Sequence, residues 1–298
     1  GTSTIESYIS SVTRRIGIAC VAAAGNESNQ KHHSEGSISK TGDTELLSIS
    51  VGDNVPALTV CIWYDAIDKI SVEVITPLEE TTGRVNIRYD TVFADRFTLE
   101  ESEASIMYFA DSQNAVIISI KNPTNGIWNI KLNGDSVLNG KYNAWMPVTG
   151  VSHPEVEFLK PSPNYTITAP ATAEQVICCG AYNSAESSLY ISSSWGPTTE
   201  AKVAPDFVAP GVNVNGVYPT GYGTMSGTSV AAAITAGACA LLLQWGIVNG
   251  NEPAINQNRL QALLINGSSR EKEVTYPSNQ WGYGKLNLFK VFDFLKES

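Results

Sequence analysis

Positive charge is in short supply in this chain. Lysine and arginine total 19 against 29 aspartates and glutamates, a formal net charge of −10. That excess argues against nucleic acid or an anionic membrane as partner, because phosphate binding needs a basic surface. Histidine is scarcer still, with only His32, His33 and His153. No uninterrupted apolar run reaches the ~18 residues of a membrane span. No basic and then apolar leader opens the chain. It starts "GTSTIESYIS" without an initiator methionine, as a processed or truncated piece would. Metal-type cysteine spacing is missing as well. Cys20, Cys61, Cys178, Cys179 and Cys239 sit in apolar runs such as "GIACVAAAG" and "VICCGAY". An odd count in such runs reads as reduced core cysteine rather than disulfide.

What is present describes a globular protein. The 298 residues are 43% hydrophobic and 16% charged, enough to bury one large core or two ordinary ones. Residues 3–16 carry apolar side chains at helical spacing behind a Ser3/Glu6 capping box, which predicts a helix. "GIACVAAAGNE" (17–27) follows as a short continuous apolar run, the pattern of a strand buried on both faces of a parallel sheet. Helix then buried strand is an α/β signature. The texture changes over 44–148. There, short alternating runs such as "ELLSISV", "ALTVCIWYD", "VNIRYDTV" and "NAVIISIKN" are separated by turn residues, predicting an antiparallel sandwich or jelly roll. The α/β texture returns with "EQVICCGAYN", a helix over 256–265 and a last amphipathic helix over 287–296.

One stretch carries candidate chemistry. "YGTMSGTSVAAAITAGACALLLQW" (222–245) passes from a glycine-and-hydroxyl turn into a helix of small residues. Nucleophilic hydrolysis needs an activated hydroxyl, a base and donors for the oxyanion. A serine at a helix N-terminus sits beside free backbone N–H groups and the positive helix end. A serine ahead of a helix is more often simply its cap. Likewise "AAAGN" (22–26) could project an asparagine amide into the crevice at the carboxyl end of a strand, or merely turn the chain.

Taken in order, the motifs resemble those of the subtilisin-like serine proteases. "VAAAGNE" (21–27), "SSSWGP" (192–197), "APDFVAPGVNV" (204–214), "GTMSGTSVAAAITAG" (223–237) and "WGYGKLNL" (281–288) follow the family's order. The resemblance implies an α/β fold with a mostly parallel sheet over 1–43 and 149–298, interrupted by the all-β insert at 44–148. It implies that Ser229 is the nucleophile, rather than Ser226, and that Asn26 is the side-chain oxyanion donor beside the Ser229 backbone N–H. Ala23, Ala24 and Gly25 fall on one wall of the pocket for the residue before the scissile bond, and Ala169, Pro170 and Ala171 on the other. The implied substrate is a protein or peptide. A β insert between Asn26 and Ala169, with the Gly-x-Trp strand in "NPTNGIWNIKLNG" (122–134), further resembles the clostridial Csp-type germination proteases and related gut-bacterial subtilases. Autoprocessing and a secreted, cell-envelope or spore-associated bacterial setting follow from that likeness.

The departures matter as much. Ala233 stands where the family commonly has a proline. The family's catalytic aspartate and histidine lie upstream of the oxyanion asparagine, and no aspartate or histidine precedes Asn26 here. His32, His33 and His153 read as solvated loop histidines, not as the base. The chain alone is therefore expected to be inactive, with the N-terminal portion of the same protease, and its prosegment, as partners. An inactive scaffold regulating a partner protease is the alternative. No cofactor is implied; calcium is common in the family, but no compact Asp/Asn cluster reads as a loop site. Trp63, Tyr64, Trp128 and Trp145 read as core packing in preference to a glycan platform.

Overall fold

The computed structural model describes residues 2–200 and 202–297. Its first helix, α1 (Thr4–Val12), starts where the capping box places it: the Ser3 hydroxyl accepts the Glu6 N–H at 3.4 Å and the Glu6 carboxylate accepts the Ser3 N–H at 3.1 Å. It stops short of residue 16. The Thr13 hydroxyl bonds back to the Ile9 carbonyl at 2.9 Å, and Gly17, at φ +74°, turns the chain. β1 (Val21–Ala23) follows.

Residues 30–162 form their own compact unit. It holds β2 (His33–Ser37), β3 (Thr44–Val51), β4 (Ala57–Tyr64), β5 (Lys69–Ile75), β6 (Val92–Phe97), β7 (Ser102–Ala110), β8 (Asn114–Lys121), β9 (Gly126–Ser136), β10 (Lys141–Trp145) and β11 (Val156–Phe158). They make two antiparallel sheets, ordered β2-β10-β4-β8-β7-β6 and β11-β3-β9-β5. Alternation does the sorting: in β4, Leu58, Val60, Ile62 and Tyr64 are buried while Ala57, Thr59, Cys61 and Trp63 face outward. One apolar core takes the inward residues of both sheets, with Trp128 of β9 fully buried in it.

This β unit is wider than 44–148, because β2 pairs with β10 and β11 with β3. That brings the histidines inside its bounds and corrects the reading of His32 and His33 as solvated, while His153 is half-buried. His32 is buried, and so is His33, whose ring nitrogens lie 3.2 Å from the Ser162 carbonyl and 3.0 Å from Asn143 Oδ1. "VNIRYDTV" (85–92) is not a strand. Only its last residue, Val92, enters a strand, opening β6 at the edge beside β7; ahead of it Val85 and Tyr89 make single bridges and Asp90 adopts φ +56°. Trp128 and Tyr64 are core, whereas Trp63 is 39% exposed.

Residues 1–29 and 163–298 form the other unit. After β11 come β12 (Ile177–Asn183), β13 (Ser188–Leu189), β14 (Phe207–Pro210), the hairpin β15 (Val214–Tyr218) and β16 (Gly221–Met225), α2 (Thr228–Leu243), α3 (Gln257–Gly267) and α4 (Leu288–Glu297). β12 runs parallel to β1 on one side and to β14 on the other. α2 packs on all three strands. Its residues facing the sheet include Ala231, Thr235, Ala238 and Leu242, and small side chains let the helix lie close. With the π turn that follows, the helical run Thr228–Val248 spans 21 residues and is long and apolar enough to cross a membrane by length and composition. The contiguous count missed it because threonine, glycine and glutamine interrupt the apolar residues. Cys178, Cys179 and Cys239 are buried as expected, while Cys20 and Cys61 are half-buried; all five are free.

Asp206, at the start of β14, is the charged group most deeply enclosed in this sheet. Burial pushes its carboxyl up, against partial relief from Lys202, the Cys178 N–H at 2.7 Å and the Gln261 amide at 2.8 Å. The unfolded chain releases this proton first, from pH about 4 upward. Between that point and the folded-state titration the native state binds more protons, so stability falls as pH rises. Asp206→Asn should flatten that part of the profile. Denaturant midpoints measured across a pH series test this, and an unchanged slope would assign the dependence to another group.

Candidate active site

Four distant motifs meet at one turn. The first is the end of β1. Ala24, fully buried, gives its N–H to the Cys179 carbonyl at 2.9 Å, which continues the parallel pairing to the strand's carboxyl end. Gly25 then turns at φ +108°. A Cβ there would lie 2.7 Å from Thr168 Oγ1 and 2.8 Å from Ser194 Oγ, so both the dihedral and the space require glycine. This turn delivers Asn26 to the crevice side of the sheet.

The second motif is the helix start. Gly227, not a serine, is the N-cap of α2, with φ +139° and no side-chain cap bond. Its N–H donates to the Gly211 carbonyl at 2.7 Å, where the third motif, "APG", ends β14. Ser229 is therefore the second residue of the helix, and it is exposed. The alternative of a simple serine cap does not apply to it. Ser226 accepts the Asn213 N–H at 2.9 Å and ties the base of the β15–β16 hairpin, a structural task.

Thr228 joins these pieces. It is fully buried. Its N–H and its hydroxyl both donate to Asn26 Oδ1, each at 3.1 Å, and its hydroxyl oxygen accepts the Gly25 N–H at 3.2 Å. The two donors consume the carbonyl end of the Asn26 amide and leave its Nδ2 as the donor end. That amide borders Gly227: a Cβ built there would lie 3.6 Å from Nδ2. The fourth motif, "SSSW", buttresses the turn, with Ser194 N–H on the Gly25 carbonyl at 2.9 Å and Ser194 Oγ accepting the Glu27 N–H at 3.0 Å. An amide donor, a helix N-terminus and an exposed hydroxyl thus lie along one turn, without the base that nucleophilic attack also requires.

The two candidate walls are also held to each other. Thr168 donates its N–H to the Ala24 carbonyl at 2.9 Å, linking Ala23-Ala24-Gly25 to the stretch that carries Ala169, Pro170 and Ala171. Ala171 is fully buried and Ala169 exposed. Glu6 supports this stretch from α1 through a hydrogen bond from the Thr172 hydroxyl. Burial pushes the Glu6 carboxyl up, but the bonds from Ser3 and Thr172 outweigh it and hold the group below its ordinary value. Thr168 and Glu6 escaped sequence reasoning. The only signal was position: Thr168 immediately precedes "APATA", and Glu6 was legible only as a cap. All three histidines lie within 30–162, so residues 1–29 and 163–298 contain none. Among the described residues no group of three or more His, Cys, Asp or Glu is arranged to hold a metal ion.

Residues 139–284 match the model of the subtilase family, Peptidase_S8. The fold is similar to that of the CspB protease of Clostridium perfringens: TM-score 0.91 and 32% identity, over 100% of this chain and 64% of that one. Serine protease AprX of Bacillus subtilis is 33% identical over 143 residues, 41% of this chain and 30% of AprX. The minor extracellular protease Vpr of the same organism is 32% identical over 110 residues, covering 33% of this chain and 13% of Vpr. The chain thus spans well under half the length of these two relatives.

The hub role of Thr228 is directly testable. Thr228→Val removes one hydroxyl and strands the Gly25 N–H, a cost of about 1–3 kcal/mol for a buried donor left unpaired. Thr228→Ser keeps the hydroxyl and should recover most of that loss in chemical denaturation. Equal destabilisation by both would point to methyl packing instead.

Proposed function

We infer, for a chain that carries a subtilase domain, that it is the Ser229-bearing part of a serine endopeptidase. In this reading Ser229 Oγ attacks the scissile carbonyl. Its proton passes to a base, and the negative oxygen of the tetrahedral intermediate is received by Asn26 Nδ2 and the Ser229 N–H. Collapse expels the amine, leaves an acyl-enzyme on Ser229, and water then releases the acid. The carrying observation is the Asn26–Thr228 pairing, which orients the amide donor at the turn that presents Ser229.

The base and its aspartate belong, on this reading, to an upstream segment of the same protein. Two features support such a partner. Among the described residues β1 pairs only with β12, so one edge of the parallel sheet is open. On α2, Ala233, Ala236, Gly237, Ala240 and Leu241 form an exposed apolar face. Substrate residues on the acyl side would lie between Ala23–Gly25 and Ala169–Ala171, walls lined by small side chains. The alternative, an inactive scaffold for a partner protease, draws on the absence of histidine from the unit that holds Ser229.

Labelling with a fluorophosphonate separates the two. The product that includes the upstream segment should label at Ser229, and Ser229→Ala should abolish labelling. A parent protein that never labels supports the scaffold, and labelling that survives in the alanine variant removes Ser229 from the role. Asn26→Ala should cost about 2.7–4 kcal/mol of transition-state stabilisation, read as a fall in kcat. Unchanged turnover would reject the amide as oxyanion donor.

A further inference from the structure

The segment that failed to become a strand has its own use. "RVNIR" (84–88) is extended, and its alternation sends Val85 and Ile87 to the core of the β unit. Arg84, Asn86 and Arg88 are exposed on the opposite side. All three line one concavity of about 280 Å³, closed by Thr91, Phe93 and Tyr108 among others.

The segment is strapped at both ends. Tyr108 Oη accepts the Val72 N–H and donates to the Val85 carbonyl, each at 3.0 Å, and the Asp90 N–H donates to the Tyr108 carbonyl at 3.2 Å. Arg84 is fixed from behind: its Nε donates to Ser71 Oγ at 2.9 Å, and its guanidinium pairs with Asp135. Arg88 differs. Among the described residues it has no ion-pair partner, and the Asn86 side chain has no hydrogen bond. A guanidinium without an ion pair and an amide without a hydrogen bond thus face the same concavity, donors available to an anionic ligand.

We propose that this concavity binds a small sugar acid. The Arg88 fork matches a planar carboxylate. The Asn86 amide both donates and accepts, as a sugar hydroxyl does. Phe93, 36% exposed, offers an apolar ring to the C–H face of a pyranose. The volume suits one saccharide unit, and the chain's net charge of −10 disfavours a polyanion. Nothing in this assignment depends on Ser229 or on peptidase activity.

Titration of the full chain with free glucuronate, followed by NMR or calorimetry, is the test. Saturable binding of glucuronate is expected, with glucose and acetate each binding far more weakly. Arg88→Gln should weaken glucuronate binding about tenfold or more, as loss of a charge-assisted hydrogen bond does. Asn86→Ala should weaken it too, with the thermal transition of both variants unchanged. The proposal is overturned by absent saturation, by parent-like binding in both variants, or by glucose or acetate binding as well as glucuronate. Tighter binding of a short aspartate-containing peptide than of glucuronate would also overturn it and assign the concavity to acidic peptide.

Discussion

The Thr228 hydroxyl and the Asn26 side-chain oxygen make the bond on which the candidate active site rests. They are 202 residues apart in sequence; the threonine is fully buried and the asparagine half-buried. A buried hydroxyl without an acceptor, or an amide oxygen without a donor, is costly. Each therefore commits the other to one orientation. The Gly25 N–H completes the arrangement by donating to the same hydroxyl. With the carbonyl end of the Asn26 amide engaged twice, the amide nitrogen has a defined direction before any substrate arrives. Preorganised donors of that kind cost no reorganisation when charge develops.

The rest of the α/β unit serves that pairing. β12 lies between two parallel neighbours and carries the turn residues of both at its end: Ala24 hangs from Cys179, and the Gly211 N–H from Tyr182. Gly211 in turn receives the Gly227 N–H, so the helix start is registered to the sheet by backbone bonds alone. Gly25 and Gly211 are both sites where a Cβ would collide with neighbours at under 3 Å. Close approach, not flexibility, explains these two glycines.

The β unit obeys a simpler rule. Period-two alternation fills one core from two sheets, and the outward residues are left over. Where the alternation continues but the ladder does not, as at 84–88, the outward residues line a concavity instead of a sheet face. The same alternation therefore produces structure in one stretch and a candidate binding site in the next.

Much of this was legible in the chain itself. Ser3 with Glu6 set the start of α1, a continuous apolar run marked β12, alternation marked β3, β4 and β8, and five ordered motifs singled out Ser229 and Asn26. These are local features, determined by the spacing of side chains along a helix or strand. Other features needed partners far away in sequence. Only the tertiary structure made Gly227 the cap of α2, placed Thr228 at the hub, tied Thr168 to Ala24 and Glu6 to Thr172, and enclosed His33 against Ser162 and Asn143. It also left residues 85–91 of "VNIRYDTV" out of the strands, because the ladder beside β7 begins only at Val92 of β6. Hydrogen-bond pairing and burial are non-local, so the sequence named the candidate residues while the fold decided what each of them touches.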